Sequence, residues 1–174
     1  NTATGSFGGG IYAYAMGNHL NVSVTDSSIS GNTAANGAGI FTYGTSDNAA
    51  INVDLQKNAQ MHNNIATTGS GGAIYAYDKS AHINVAEGSA LYNNTAKNAG
   101  DDLWMNGATF TLPKASAMSG DKQFKVSEEE TKTVTGWFYD GWYKWDPKAN
   151  NGAGAYVEAA RWSMDKADEY TPVE

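Results

Sequence analysis

Short bursts of apolar residues alternate with polar ones along the first hundred positions, and the bursts recur in the same order. One set reads GGGIYAY (8–14), GAGIFTY (37–43), GGAIYAY (71–77) and GDDLWMN (100–106). A second reads LNVSV (20–24), INVDL (51–55) and INV (83–85). A third reads ISGN (29–32), MHNN (61–64) and LYNN (91–94). Alternation rich in β-branched and aromatic residues predicts strands, and the Gly, Asn and Asp clusters between the bursts predict turns. No segment of this region carries a helical apolar stripe. An Asn opens each round, at Asn1, Asn32, Asn64 and Asn94, so the period is 31, 32 and then 30 residues. A fixed period of that size is the signature of a solenoid.

Three strands per coil, in about four coils, predict an all-β parallel β-helix. It should be right-handed, by the crossover preference of parallel strands. Each strand would pair with its counterpart one coil on, about 4.8 Å away, so that equivalent residues stack in columns. The expected inward columns are Ile11, Ile40, Ile74 and Leu103; Ala13, Thr42, Ala76 and Met105; Val22, Val53 and Val85; and Ile29, Met61 and Leu91. Alternation then sends Tyr12, Phe41, Tyr75 and Trp104 outward, beside Tyr14, Tyr43 and Tyr77. The Asn column fits a turn with side-chain amides laddered along the stack. The Gly pairs before the first strand fit positive-φ positions.

The repeat breaks after Trp104, and TFTLP (109–113) is expected to close the last coil. This divides the chain into coils over 1–113 and a small C-terminal β cap over 114–174. In the cap, strands are expected at 122–126 and 132–139, with a hairpin turn at Asp140–Gly141, and 155–163 reads as a last strand in preference to a short helix. Because the chain opens in mid-repeat with an uncapped sheet edge, a longer parent with further domains is expected.

The composition supports a packed core: 41% of residues are hydrophobic, with 5 Trp and 10 Tyr. The net charge of −7 argues against nucleic acid or an anionic membrane as partner. No run of 18 apolar residues predicts a membrane span. No Cys is present, so no disulfide forms.

GGGI, GAGI and GGAI, each followed by an apolar-x-x-Asn tetrapeptide, resemble the repeat pair of the chlamydial polymorphic outer-membrane proteins. The resemblance covers about residues 1–106. In that family the second motif usually starts with Phe; here it starts with Ile29, Met61 and Leu91. The tail, TGWFYDGWYKWDP through RWS to DEYTPVE, resembles segments that follow such coils in large wall-anchored surface proteins of Gram-positive gut bacteria. Together the two resemblances imply an extracellular, cell-surface, multi-domain bacterial protein whose coils serve as adhesin or stalk.

Enzymatic β-helices form the competing class. Polysaccharide lyases and hydrolases on this fold need clustered outward carboxylates with a base, bound Ca²⁺ or both. The outward positions here are mostly Tyr, Asn, Ser and Ala, and residues 1–100 contain no Arg. No catalytic residue and no cofactor is therefore expected. His19 and His82 align with each other but with Ala50 between them, and His62 lies on another strand, which is too few for a zinc site. Asp101 and Asp102 are the candidates for Ca²⁺, against a simpler role in a capped turn.

The outward aromatic ladder is the sharper signal, because rings stack on sugars and anchor protein interfaces. Its members are Tyr12, Tyr14, Phe41, Tyr43, Tyr75, Tyr77 and Trp104, and Trp137, Trp142 and Trp145 form a second aromatic cluster. The expected role is a non-enzymatic adhesin that presents a rigid face to a host glycan or an extracellular protein. A structural spacer, with the ladder covered by another segment, is the plainer alternative.

Overall fold

A computed structural model describes residues 1–86 and 89–111, and the backbone of four further strands between 122 and 158. The first coil holds β1 (Thr2–Phe7), β2 (Ile11–Ala15), β3 (His19–Thr25) and β4 (Ser28–Ser30). The second holds β5 (Thr33–Asn36), β6 (Ile40–Gly44), β7 (Ala50–Gln56) and β8 (Gln60–His62). The third holds β9 (Ile65–Ala66), β10 (Ile74–Ala76), β11 (Ala81–Val85) and β12 (Ala90–Tyr92), and the fourth β13 (Thr95–Ala96), β14 (Leu103–Asn106) and β15 (Thr109–Thr111). Each strand pairs in parallel with its counterpart in the next coil, giving four stacked sheets, numbered one to four for those that begin with β1, β2, β3 and β4, and the described residues contain no helix.

Each of the first three coils therefore carries four strands, one more than the alternation predicts. The extra strand is the Thr-Ala step after the repeat Asn (Ile65-Ala66 in the third coil), seen as Thr33↔Ile65 and Ala34↔Ala66. It is too short for alternation to register, and Ala is a poor marker of a strand.

The interior follows the expected columns in three of four cases. Ile11, Ile40, Ile74 and Leu103 stand in register, as do Ala13, Thr42, Ala76 and Met105. Ile29, Met61 and Leu91 form another column. The sheet-three column differs: Val22 and Val53 continue into Ile83 and Phe110, while Val85 stacks on Leu55. The INV triplets are thus offset by two residues in the third coil. An even offset keeps every side chain on its face, so burial cannot reveal it. The same offset pairs His19 with Ala50 but His82 with Asn52, so the two His do not share a position. Fully enclosed Ile40, Ile51, Leu55, Met61, Ile74, Ile83, Leu91 and Leu103 dominate the core. Each contributes roughly 2 kcal/mol by leaving water.

Two devices hold the corners on either side of sheet one, one of glycine and one of asparagine. Gly8, Gly37, Gly71 and Gly100 share φ between +57° and +68°. At Gly37 a Cβ would lie 2.7 Å from the Ile40 carbonyl oxygen, so a side chain is excluded by contact as well as by φ. The second device is the Asn ladder. Asn32 Nδ2 donates to Asn64 Oδ1 at 2.9 Å, and Asn64 Nδ2 donates to Asn94 Oδ1 at 2.9 Å. Asn64 Nδ2 also donates to the Ile29 carbonyl, and Asn64 Oδ1 also accepts from the Asn32 backbone N–H. Asn94 Nδ2 finally donates to Asp102 Oδ1 at 2.8 Å, and the Asp102 carboxylate is fully buried. A carboxylate only accepts, so it ends a chain of donors without needing a further coil.

Beyond the last coil, β16 (Lys122–Lys125) and β17 (Thr131–Val134) form an antiparallel pair. A further strand, β18 (Trp142–Trp145), extends sheet two by pairing in parallel with β14, and β19 (Ala155–Glu158) joins it antiparallel. These are three of the segments expected as strands, together with the Trp-rich one. The Asp140–Gly141 turn and the boundary at 113 lie outside the described residues.

Two substitutions test this interior. Replacing Asn64 by Ala removes the acceptor of both Asn32 N–H donors and the side-chain donor to the Ile29 carbonyl, leaves Asn94 Oδ1 with only the backbone N–H of residue 64, and is expected to cost about 3 kcal/mol or more in urea denaturation. Thr42 is 1% exposed, sits between Ala13 and Ala76, and its hydroxyl has no hydrogen-bond partner among the described residues. Thr42→Val is expected to stabilise the protein by about 1 kcal/mol, read as a raised melting temperature.

Candidate binding face

The outward side of sheet two is an aromatic surface because β2, β6 and β10 share the order apolar, aromatic, small, and β14 follows with Leu, Trp and Met. Pleating sends the first and third residues to the core and the second to solvent. Rings in one column then sit one coil apart, close enough to stack. Tyr12 and Phe41 centroids are 5.2 Å apart with planes at 9°, Phe41 and Tyr75 are 5.3 Å apart at 10°, and Tyr75 and Trp104 are 4.1 Å apart at 9°. The second column is less parallel: Tyr14 and Tyr43 are 5.6 Å apart, and Tyr43 and Tyr77 meet edge to face at 4.9 Å. Contacts such as Phe41 to Tyr77 at 6.2 Å join the two columns into one surface.

The surface is unevenly accessible. Tyr12, Tyr14 and Tyr77 are 49%, 39% and 45% exposed, whereas Phe41 is 3% exposed although it points outward. Phe41 is covered by the rings around it, including Phe7, which stacks on it at 4.6 Å. Phe7 belongs to the face but has no aromatic counterpart in other coils; its register partner is Asn36. A search for recurring residues therefore misses it. The bulge between Ala3 and Phe7 carries it over the column. Phe7, Tyr12, Phe41, Tyr43 and Tyr77 line a shallow cleft of about 210 Å³.

Other predicted residues lie elsewhere. Asp102 ends the Asn ladder, and Asp101 Oδ1 accepts from the Ala96 backbone N–H at 2.9 Å. Both carboxylates thus serve the capped turn. Among the described residues, no three His, Cys, Asp or Glu side chains gather as a metal site. Trp142 and Trp145 hold register positions beside Leu103 and Asn106 on the strand that follows the ladder, and Tyr143 takes the position after Trp104. Trp137 is outside the described residues.

A second concavity was not legible in the sequence. At the corner from sheet two to sheet three, loop residues of the second and third coils line a cleft of about 520 Å³ that includes Asp47, Asp78, Lys79 and His82. Asp78 Oδ2 accepts from the Gly44 N–H at 2.8 Å, and its Oδ1 accepts from the Ser80 N–H at 2.7 Å. Lys79 reaches back one coil to Asp47 at 2.7 Å. Hydrogen bonding and charge from Lys79 hold the Asp47 carboxyl below its usual range.

Comparison with proteins of known description finds a related sequence within a probable autotransporter. The probable autotransporter YfaL of Escherichia coli (strain K12) is 34% identical over 99 residues, which is 55% of this chain and 8% of that protein. The chain thus spans under a tenth of the relative's length. No family model matches the sequence, and no solved structure matches the fold at a significant level.

The histidines stand apart from one another. His82 Nδ1 is 2.7 Å from Thr109 Oγ1. His62 Nε2 is 3.0 Å from Ser28 Oγ, and Asn63 Nδ2 lies 3.1 Å from His62 Nδ1. With that amide donating to Nδ1, the ring proton sits on Nε2 and goes to Ser28. Burial holds His62 below its ordinary value of 6.5. Folding therefore favours the neutral ring. As pH falls through about 6.5 the unfolded chain takes the proton first, and stability declines until the folded ring also titrates. His62→Gln is expected to flatten this decline in melting temperature between pH 7 and 5; an unchanged slope would show that His62 does not set it.

Proposed function

We propose that this chain is a β-helix segment of a bacterial cell-surface protein, and that it acts as a non-enzymatic adhesin module. The observation that carries this reading is the two-column aromatic surface on sheet two, with Tyr12, Tyr14 and Tyr77 exposed. Its similarity to part of a probable autotransporter supports an extracellular setting. A rigid sheet bearing half-exposed rings at the strand spacing offers flat apolar platforms with hydroxyls at their rims, which suits sugar rings or a protein's aromatic anchors. Each ring is already held by its neighbours, so little side-chain entropy remains to be lost on binding. The partner is therefore a host glycan or an extracellular protein.

A carbohydrate-active enzyme is the second reading, because Asp47 and Asp78 line one cleft. The chemistry disfavours it. A glycosidase acid needs a carboxyl held above its usual range, and Lys79 does the opposite to Asp47. Asp78 is occupied as a turn cap by two backbone N–H groups.

The test is a glycan and matrix-protein array probed with the wild-type chain and a Tyr12→Ala, Tyr77→Ala variant. These rings are exposed, so the fold should survive. Binding is expected to fall at least ten-fold in the variant. Equal binding by both proteins would remove the aromatic surface from the mechanism, and release of new reducing ends from any bound polysaccharide would favour the enzyme instead.

A further inference from the structure

The corner between sheets two and three is where the coils differ most. From the first interior column to the second, the chain takes 11 residues in the first coil (Ile11 to Val22) and 13 in the second (Ile40 to Val53). It takes only nine in the third (Ile74 to Ile83) and seven in the fourth (Leu103 to Phe110). The stacked columns stay in register throughout, so the surplus is pushed outward at the corner. The second coil's loop overhangs the shorter third loop, and the cleft of about 520 Å³ lies between them. Insertions confined to one edge of a repeat array commonly build its binding site.

We infer that this corner cleft is a binding subsite for a neutral saccharide unit, placed beside the end of the tyrosine column. It deepens the adhesin reading by naming the ligand class. Its walls offer Ser46, Asp47, Asp78, Lys79 and His82, a mixture of acceptors and donors suited to vicinal hydroxyls. The Ser80 side chain is 6% exposed and packs beneath Gly44, so it shapes the cleft wall from inside and is not itself a ligand contact. Both Asp78 oxygens are aimed by backbone N–H groups and each retains a lone pair for a sugar hydroxyl. Tyr43 and Tyr77 immediately precede the two loops, so the aromatic column ends where the polar cleft begins. Two carboxylates face one ammonium, and that ammonium is already paired with Asp47. The balance is negative, which disfavours uronic and sialic acids and leaves uncharged sugars. A Cβ on Gly44 would approach the Ser80 hydroxyl to 2.5 Å, so the close contact of the two loops requires glycine there.

The experiment is an amide-resolved NMR titration of the 174-residue chain with lactose, maltotriose, cellotriose, mannotriose and xylotriose, and with sialic and galacturonic acids. At least one neutral sugar is expected to shift the Ser46, Lys79 and Ser80 amides saturably, and the acids to bind at least ten-fold more weakly. Ser46 is exposed, so Ser46→Trp should fill the cleft without disturbing the core, and the shifts should vanish. Absence of shifts with all five neutral sugars, equal binding of the acids, or unchanged binding by Ser46→Trp would each overturn the proposal. The Tyr12→Ala, Tyr77→Ala variant separates the two ideas. If cleft shifts persist while array binding ignores the ring substitutions, the aromatic surface fails and the cleft stands. If ring-dependent binding persists with no cleft shifts, the cleft alone fails.

Discussion

The amide chain through Asn32, Asn64 and Asn94 is the interaction that the other features depend on. Each full member uses both amide hydrogens, and its oxygen accepts twice. Such a group tolerates neither a slip nor a tilt in a buried corner, because any unmet bond would cost about 1–3 kcal/mol. It therefore pins one corner of every coil to the next. Three residues separate the fourth-sheet column from the following Asn in every round, as in Ile29 to Asn32, Met61 to Asn64 and Leu91 to Asn94. With that corner fixed, the aromatic columns of sheet two follow, since strands locked in register must bring like positions together.

The pinned corner also explains what was legible in the sequence. The period, the Ile column, the Asn ladder and the outward rings could be read because each repeats at a strict position. The third-coil offset could not, because INV recurs at residues 51–53 and 83–85 and looks like one motif. Only the shortened corner between Ile74 and Ile83 discloses that Val53 meets Ile83. The Thr-Ala strand was hidden by its brevity, and Phe7 by its occurring once. The corner cleft was hidden for a related reason: it is made by loops that differ between coils, and repetition is silent about differences.

Sheet two and its adjoining corner show two ways of making a surface from one scaffold. Stacked rings such as Phe41 and Tyr75 gain packing from each other, so the face is ordered before anything binds. The cleft instead takes its shape from backbone N–H groups fixing Asp78 and from the absence of a side chain at Gly44. One surface is apolar and broad, the other a polar, open cleft, and they meet at Tyr43 and Tyr77.

The Asn ladder has a direction. Asn32 and Asn64 each give one amide hydrogen to the Asn oxygen of the next coil, Asn64 and Asn94 give the other back to a carbonyl of the previous coil, and the forward hydrogen of Asn94 goes to Asp102. An inner Asn such as Asn64 therefore depends on both neighbouring coils at once. The fourth coil alone meets its forward donor from within itself, because Asn94 and Asp102 belong to the same coil. The carboxylate stands where a further Asn would otherwise be needed, and the series closes there.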